Sequence, residues 1–180
     1  MNYATIKKND IANGPGVRVS LFVSGCRHKC PGCFNSEAWD FAYGAPYTDE
    51  TEKEIMNAAN KEHLSGLSLL GGEPFERENR DALALLVARF HEAYPQKTVW
   101  CYSGFTFEEL FADAGARPLL SQLDVLVDGR FEMAKKDLSL LFRGSSNQRI
   151  LDVKKSLAAG KAVPLEGKWE RKTGSGDINE

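Results

Sequence analysis

Cys26, Cys30 and Cys33 stand in the run Cys-Arg-His-Lys-Cys-Pro-Gly-Cys, directly after an apolar stretch. Three thiolates this close can hold three corners of a four-iron cluster and leave the fourth iron without a protein ligand. Clusters that only store or pass electrons normally have four cysteine ligands, so a missing fourth points to an iron that binds a substrate or cofactor. Zinc is the competing reading, because it takes four ligands, often from Cys-x2-Cys pairs, and Cys30/Cys33 is such a pair. Its fourth ligand would be Cys101 or a histidine such as His28. The i, i+4, i+7 spacing, with no second tight pair, favours the cluster. Cys101 lies in an apolar run and reads as a small buried hydrophobe. His63 and His91 read as solvated or half-buried side chains and His28 as one that points to water, none with a catalytic part.

Three further segments have residues suited to a ligand. Gly71-Gly72-Glu73-Pro74 is a plausible strand-to-helix turn, but two consecutive glycines also let a ligand reach the backbone and its carbonyls. Glu73 adds a charged acceptor. Ser103-Gly104 and Asp128-Gly129-Arg130 are similar breaks. The second offers a carboxylate and a guanidinium, the latter suited to a ligand carboxylate, against the plainer reading of a surface ion pair worth ~0–1 kcal/mol. The polar run Arg143–Arg149 is either a loop or a binding edge.

These segments need elements to bring them together. Val17 to Gly25 is β-branched and apolar and reads as a strand. Thr48 caps a helix over Asp49 to about Glu62, with acids in its first turn. Leu67 to Leu70 reads as a strand running into Gly71. Glu76 to Tyr94 is the clearest helix, with Leu83, Leu86, Val87 and Phe90 on one face, stopped by Pro95. Thr98 to Tyr102 and Leu123 to Val127 read as strands, Thr106 caps a helix from about Phe107, and a last strand is expected around Arg149 to Val153. Strands alternating with helices imply a parallel sheet with right-handed crossovers. A complete eight-unit barrel takes about 250 residues, more than the 180 here. The expected fold is α/β, an incomplete parallel βα barrel of four to five units over residues 1–164, with a flexible polar tail over 165–180. The cysteine loop and the three breaks each follow a strand, so all four are expected on the rim where parallel α/β folds build their sites.

The bulk figures exclude other classes. A net charge of −2 argues against non-specific nucleic-acid binding, and no apolar run approaches the ~20 residues that span a bilayer. The N-terminus has no apolar core of a secretory signal. Clustered cysteines in such a chain suggest metal binding in a reducing cytoplasm.

Together these residues resemble the radical S-adenosylmethionine (SAM) superfamily, marked by CxxxCxxC and a GGE-type strand end. Within it the chain is similar to the glycyl-radical enzyme activases of the nucleotide-reductase branch. The resemblance runs through Asp10 to Gly16, Leu21 to Cys26, Cys30 to Asn35, Gly71 to Pro74, Val125 to Arg130 and Arg143 to Gln148. It implies a [4Fe-4S] cluster held by Cys26, Cys30 and Cys33, with SAM on the open iron. Reductive cleavage of SAM would give a 5′-deoxyadenosyl radical that takes hydrogen from a glycine of the partner. That partner would be the large subunit of an anaerobic ribonucleoside-triphosphate reductase, and the electron would come from a low-potential donor such as flavodoxin. Gly71, Gly72 and Glu73 would meet the SAM ammonium, and Ser103, Asp128 and Arg130 the rest of the cofactor. Gly32, Cys33 and Phe34 would lie by the adenine. Many superfamily members carry an aromatic residue just before the third cysteine, where this chain has Gly32 and then Phe34. Asn13 stands where pyruvate formate-lyase activases have Asp. Two other readings remain, a radical-SAM enzyme acting on a deazapurine-type small molecule and a zinc-stabilised interaction module.

Overall fold

Two threonines start helices as their positions predict. Thr48 Oγ1 accepts from the Thr51 amide and Thr51 Oγ1 from the Thr48 amide, which opens α1 (Asp49–Ala59). Thr106 and Glu109 make the same reciprocal pair at the start of α3 (Phe107–Ala112). Each pair satisfies two amides that a helix start leaves orphaned. The structure is a computed structural model and describes residues 1–167 and 169.

Among the described residues, seven strands form one mixed sheet. They are β1 (Asn2–Asp10), β2 (Val17–Val23), β3 (Ala45–Pro46), β4 (Leu64–Gly71), β5 (Thr98–Tyr102), β6 (Val125–Asp128) and β7 (Arg149–Asp152). Their spatial order is β3-β1-β2-β4-β5-β6-β7. β2, β4, β5 and β6 are parallel, as expected. β1, β3 and β7 are not: β1 pairs antiparallel with β2 and β3, and β7 antiparallel with β6. The all-parallel expectation therefore holds for the centre of the sheet and is corrected at both flanks. The remaining helices are α2 (Arg77–Ala93), α4 (Arg117–Leu120) and α5 (Val153–Ala159).

Alternation along each strand splits the core in two. Val19, Leu21, Leu67, Leu69, Val99, Cys101 and Leu126 face the helices and pack on Ile55, Leu83, Leu86, Phe90, Phe107 and Leu119. Trp100, Val125, Val127 and Ile150 face the other side, where Phe142, Leu165 and Trp169 cover them. The tail expected over 165–180 lies mostly outside the described residues. At its start the Leu165 amide donates to Ile150 O at 2.8 Å, and Trp169 packs edge-on against Trp100.

The face turned away from the helices is polar at its foot. Arg18 is fully buried there, donating from Nε to Ser68 Oγ at 2.8 Å and from Nη2 to the carbonyls of Leu67 (2.9 Å) and Thr98 (2.6 Å). Neutral oxygens thus satisfy a buried cation and tie β2, β4 and β5 together. Ser68 Oγ in turn donates to Asn13 O at 2.6 Å, seating the β1–β2 turn on the same foot.

Candidate iron–sulfur and cofactor site

The parallel register aligns Val23 of β2 with Gly71 of β4, and Leu69 with Cys101 of β5. The cysteine loop, Gly72-Glu73 and Ser103-Gly104 therefore leave the sheet at one rim. Backbone contacts hold the root of the loop: the Gly72 amide donates to Val23 O (2.7 Å), the Glu73 amide to Gly25 O (2.8 Å) and the Cys26 amide to Trp39 O (3.1 Å). A Cβ on Gly72 would lie 2.6 Å from Gly25 O and 2.9 Å from Ala38 O. The two glycines thus serve the approach of β4 to the root of Cys26. Asn79 of α2, which the sequence reading passed over, is buried below and donates to Ser24 O (3.0 Å) and Glu73 O (2.9 Å).

All four cysteines are free thiols. Burial pushes the Cys26 thiol up to about 11. Burial also raises Cys30, against which a Phe131 backbone hydrogen bond and the Arg130 charge pull the other way. Metal binding therefore has to displace protons from these sulfurs. Among the described residues no group of three or more His, Cys, Asp or Glu gathers tightly enough for one metal ion. A four-iron cluster asks for something else, since each thiolate sits on a different iron. Cys101 is fully buried in the core, as expected of a small hydrophobe.

Gly32 has φ +72°, and a Cβ there would lie 2.1 Å from Met133 Cε and 3.6 Å from Phe131. Met133 fills the place that a side chain at position 32 would take. Phe34 is 98% exposed and so stands clear of the loop's packed side.

The charged residues are arranged differently from the simple rim picture. Glu73 is only 1% exposed, and both oxygens are engaged. Oε1 accepts from the Phe75 amide and Ser103 Oγ (2.9 Å each), and Oε2 from the Gly104 amide (2.7 Å), with His28 Nε2 at 3.1 Å. His28, expected to point to water, has a side chain only 6% exposed. Its ring sits edge-on to Phe105, with centroids 4.4 Å apart. Ser103 Oγ also accepts from the Phe105 amide at 3.0 Å. Asp128 is fully buried and accepts from the Phe107 amide at the start of α3 (2.7 Å) and from Arg149 Nε (2.9 Å). Its cation is thus Arg149, twenty-one residues away, and Arg130 is left exposed beside Cys30. In the polar run, Gln148 Oε1 accepts from the Gly144 (2.8 Å) and Ser145 (3.2 Å) amides, and Asn147 Nδ2 donates to Arg130 O (2.8 Å). That run knits the strand end after β6.

Arg27 completes the loop's anchoring. Its amide donates to Glu76 Oε1 at 2.8 Å, and its guanidinium pairs with Glu76 and Glu78 and stands 4.3 Å over the Phe41 ring. Two buried hydroxyls, Ser24 Oγ near the loop root and Tyr102 OH at the end of β5, have no hydrogen-bond partner among the described residues. Register and alternation put both on the side of the sheet away from the helices. Three free thiols on a fixed loop, an exposed guanidinium and two unpartnered buried hydroxyls fit a cluster together with a polar cofactor.

A single chain of this kind, with three cysteines on one rim loop and no second cysteine set, is an iron–sulfur protein of the single-cluster class. The family model for a "4Fe-4S single cluster domain" matches residues 12–151. This sets aside the zinc module as the reading of the cysteines. The chain is 42% identical over 152 residues to the anaerobic ribonucleoside-triphosphate reductase-activating protein of Pasteurella multocida, covering 83% of this chain and 96% of that one. The protein of that name in Escherichia coli K12 is 42% identical over 150 residues (82% and 96%), and that of enterobacteria phage T4 is 40% identical over 152 (83% and 93%). The chain belongs to the family of anaerobic ribonucleoside-triphosphate reductase-activating proteins.

Proposed function

We propose that the chain activates an anaerobic ribonucleoside-triphosphate reductase, with Cys26, Cys30 and Cys33 holding a [4Fe-4S] cluster whose fourth iron takes SAM. Held by those cysteines and reduced by a low-potential donor such as flavodoxin, the cluster would supply the electron for reductive cleavage of SAM, the chemistry by which hydrogen would be taken from a glycine of the reductase large subunit. The chain's own residues bind and orient. Arg130, exposed beside Cys30, suits the SAM carboxylate as a fork of donors. Ser24 and Tyr102 offer hydroxyls for its polar groups. Gly71 and Gly72 bring bare backbone to the loop root. Ser103 and Asp128 act one step back, Ser103 through Glu73 and Asp128 through Arg149. Phe34, standing clear of the loop, suits contact with adenine or with the partner.

We read the open sheet as the partial barrel of radical SAM enzymes, residues 1–164 as one domain, and the working compartment as the cytoplasm. No helix among the described residues is long and apolar enough to cross a membrane. The observation that carries the reading is the loop itself: three free cysteines, anchored at the rim by Arg27, His28 and backbone bonds, in a chain of this family. The test is electron paramagnetic resonance on the reconstituted protein mixed anaerobically with reductase large subunit, SAM and reductant. A glycyl-radical signal on the large subunit is expected. Its absence, with turnover of a deazapurine-type small molecule instead, would establish the other radical-SAM reading.

A further inference from the structure

The cysteine loop carries a buried polar contact that metal binding does not require. His28 lies midway between Cys26 and Cys30, yet its ring is turned inward onto Glu73 and Phe105. The neighbouring strand end is shaped around it. A Cβ on Gly104 would lie 2.4 Å from His28 Cδ2, so this position is open only because residue 104 is glycine. Glu73 reaches the same point from β4 and also binds Ser103 Oγ and the amides of Phe75 and Gly104. One carboxylate thus joins three segments: the end of β4, the end of β5 and the middle of the loop. A carboxylate has about four acceptor sites, and four donors already surround it.

We propose that His28 and Glu73 are positioning residues that latch the cysteine loop to the ends of β4 and β5 before any iron arrives, and that the Glu73 carboxylate is therefore not a ligand for the SAM ammonium. The first half of the loop is then pinned at two consecutive residues, by Arg27 on Glu76 and Glu78 and by His28 on Glu73. Cys26, Cys30 and Cys33 are presented from a set backbone, which lowers the ordering cost of taking up a cluster. This rests on the reading of those three cysteines as cluster ligands, but the latch itself is a property of the metal-free chain.

The test is amide hydrogen exchange on the metal-free protein, comparing the unaltered chain with His28→Leu and His28→Gln. Leucine removes the donor. Glutamine keeps an N–H near the position of Nε2. Exchange over residues 26–33 is expected to speed up about tenfold in His28→Leu, equivalent to ~1.4 kcal/mol. His28→Gln should return it to near the unaltered rate, and amides of Leu69 and Cys101 should not change in either variant. After reconstitution, His28→Leu should lose iron to a chelator faster than His28→Gln. Unchanged exchange over 26–33 in His28→Leu, equal acceleration in the core strands, or failure of glutamine to restore the loop would each overturn the latch. An unaltered chain that takes up zinc and no iron would instead defeat the cluster reading and leave the exchange result standing.

Discussion

Replacing Glu73 by glutamine changes one atom, and its cost can be worked from the contacts. Oε1 serves the Phe75 amide and Ser103 Oγ, while Oε2 serves the Gly104 amide and His28. Glutamine has one accepting oxygen and one donating NH2. With the NH2 on the first side, Ser103 Oγ can turn to accept, but the Phe75 N–H loses its partner. With the NH2 on the second side, His28 can present a lone pair, but the Gly104 N–H is stranded. Either orientation strands one backbone amide, a cost of about 1–3 kcal/mol. At roughly 2–4 °C per kcal/mol for a chain of this size, the midpoint ~2 kcal/mol corresponds to a drop in Tm of about 4–8 °C. Differential scanning calorimetry of the metal-free protein measures it. A carboxylate waiting unpaired for a ligand ammonium would behave oppositely, since neutralising it relieves a buried charge. An unchanged or raised Tm in Glu73→Gln would refute the hydrogen-bond account.

Burial and, secondarily, the Glu73 charge hold the Cys101 thiol well above its ordinary value. The unfolded chain gives up that proton above about pH 8.5 and the folded chain keeps it. The contribution is thus complete below that pH and declines by about 1.4 kcal/mol per pH unit above it. Urea midpoints between about pH 8 and pH 10 should fall more steeply for the unaltered chain than for Cys101→Ala, and parallel slopes would contradict the assignment. Gly72→Ala places a methyl against the carbonyls of Gly25 and Ala38, backbone that cannot rotate aside, at a cost on the order of 1–3 kcal/mol. It should speed iron loss to a chelator. Gly160→Ala, where a Cβ meets nothing within 4 Å, should leave iron retention unchanged despite its left-handed backbone.

Much of the frame is legible because local chemistry decides it. β5 and α2 follow from an apolar run bounded by a break and from a helical stripe ending at Pro95. The threonine caps mark two helix starts within one residue. β1 escaped because most of its residues are exposed or half-exposed, so no alternation marks it. β7 was found as a strand, but its direction depends on the path after β6, which residue pattern does not encode. At the site, the cysteines and the glycines stand out by spacing alone. The partnerships do not: Arg130 is only two residues from Asp128 in the chain, yet Arg149 takes the contact, because β7 lies antiparallel to β6 and pairs Asp128 with Arg149. The inward turn of His28 was hidden likewise, since only the fold brings Glu73 and Gly104 against the loop. Gly104 could have hinted at it, as a residue kept small beside a large ring.

In the proposed site three cysteines hold a cluster and leave one iron open to SAM. The direct measurement is electron paramagnetic resonance of the anaerobically reconstituted, reduced protein, recorded before and after SAM is added without reductase. The expected result is a four-iron cluster signal whose shape changes on adding SAM, lost in Cys26→Ala, Cys30→Ala and Cys33→Ala and kept in Cys101→Ala. A signal unaffected by SAM, or one lost with Cys101→Ala, would show that the fourth iron is already held by the protein.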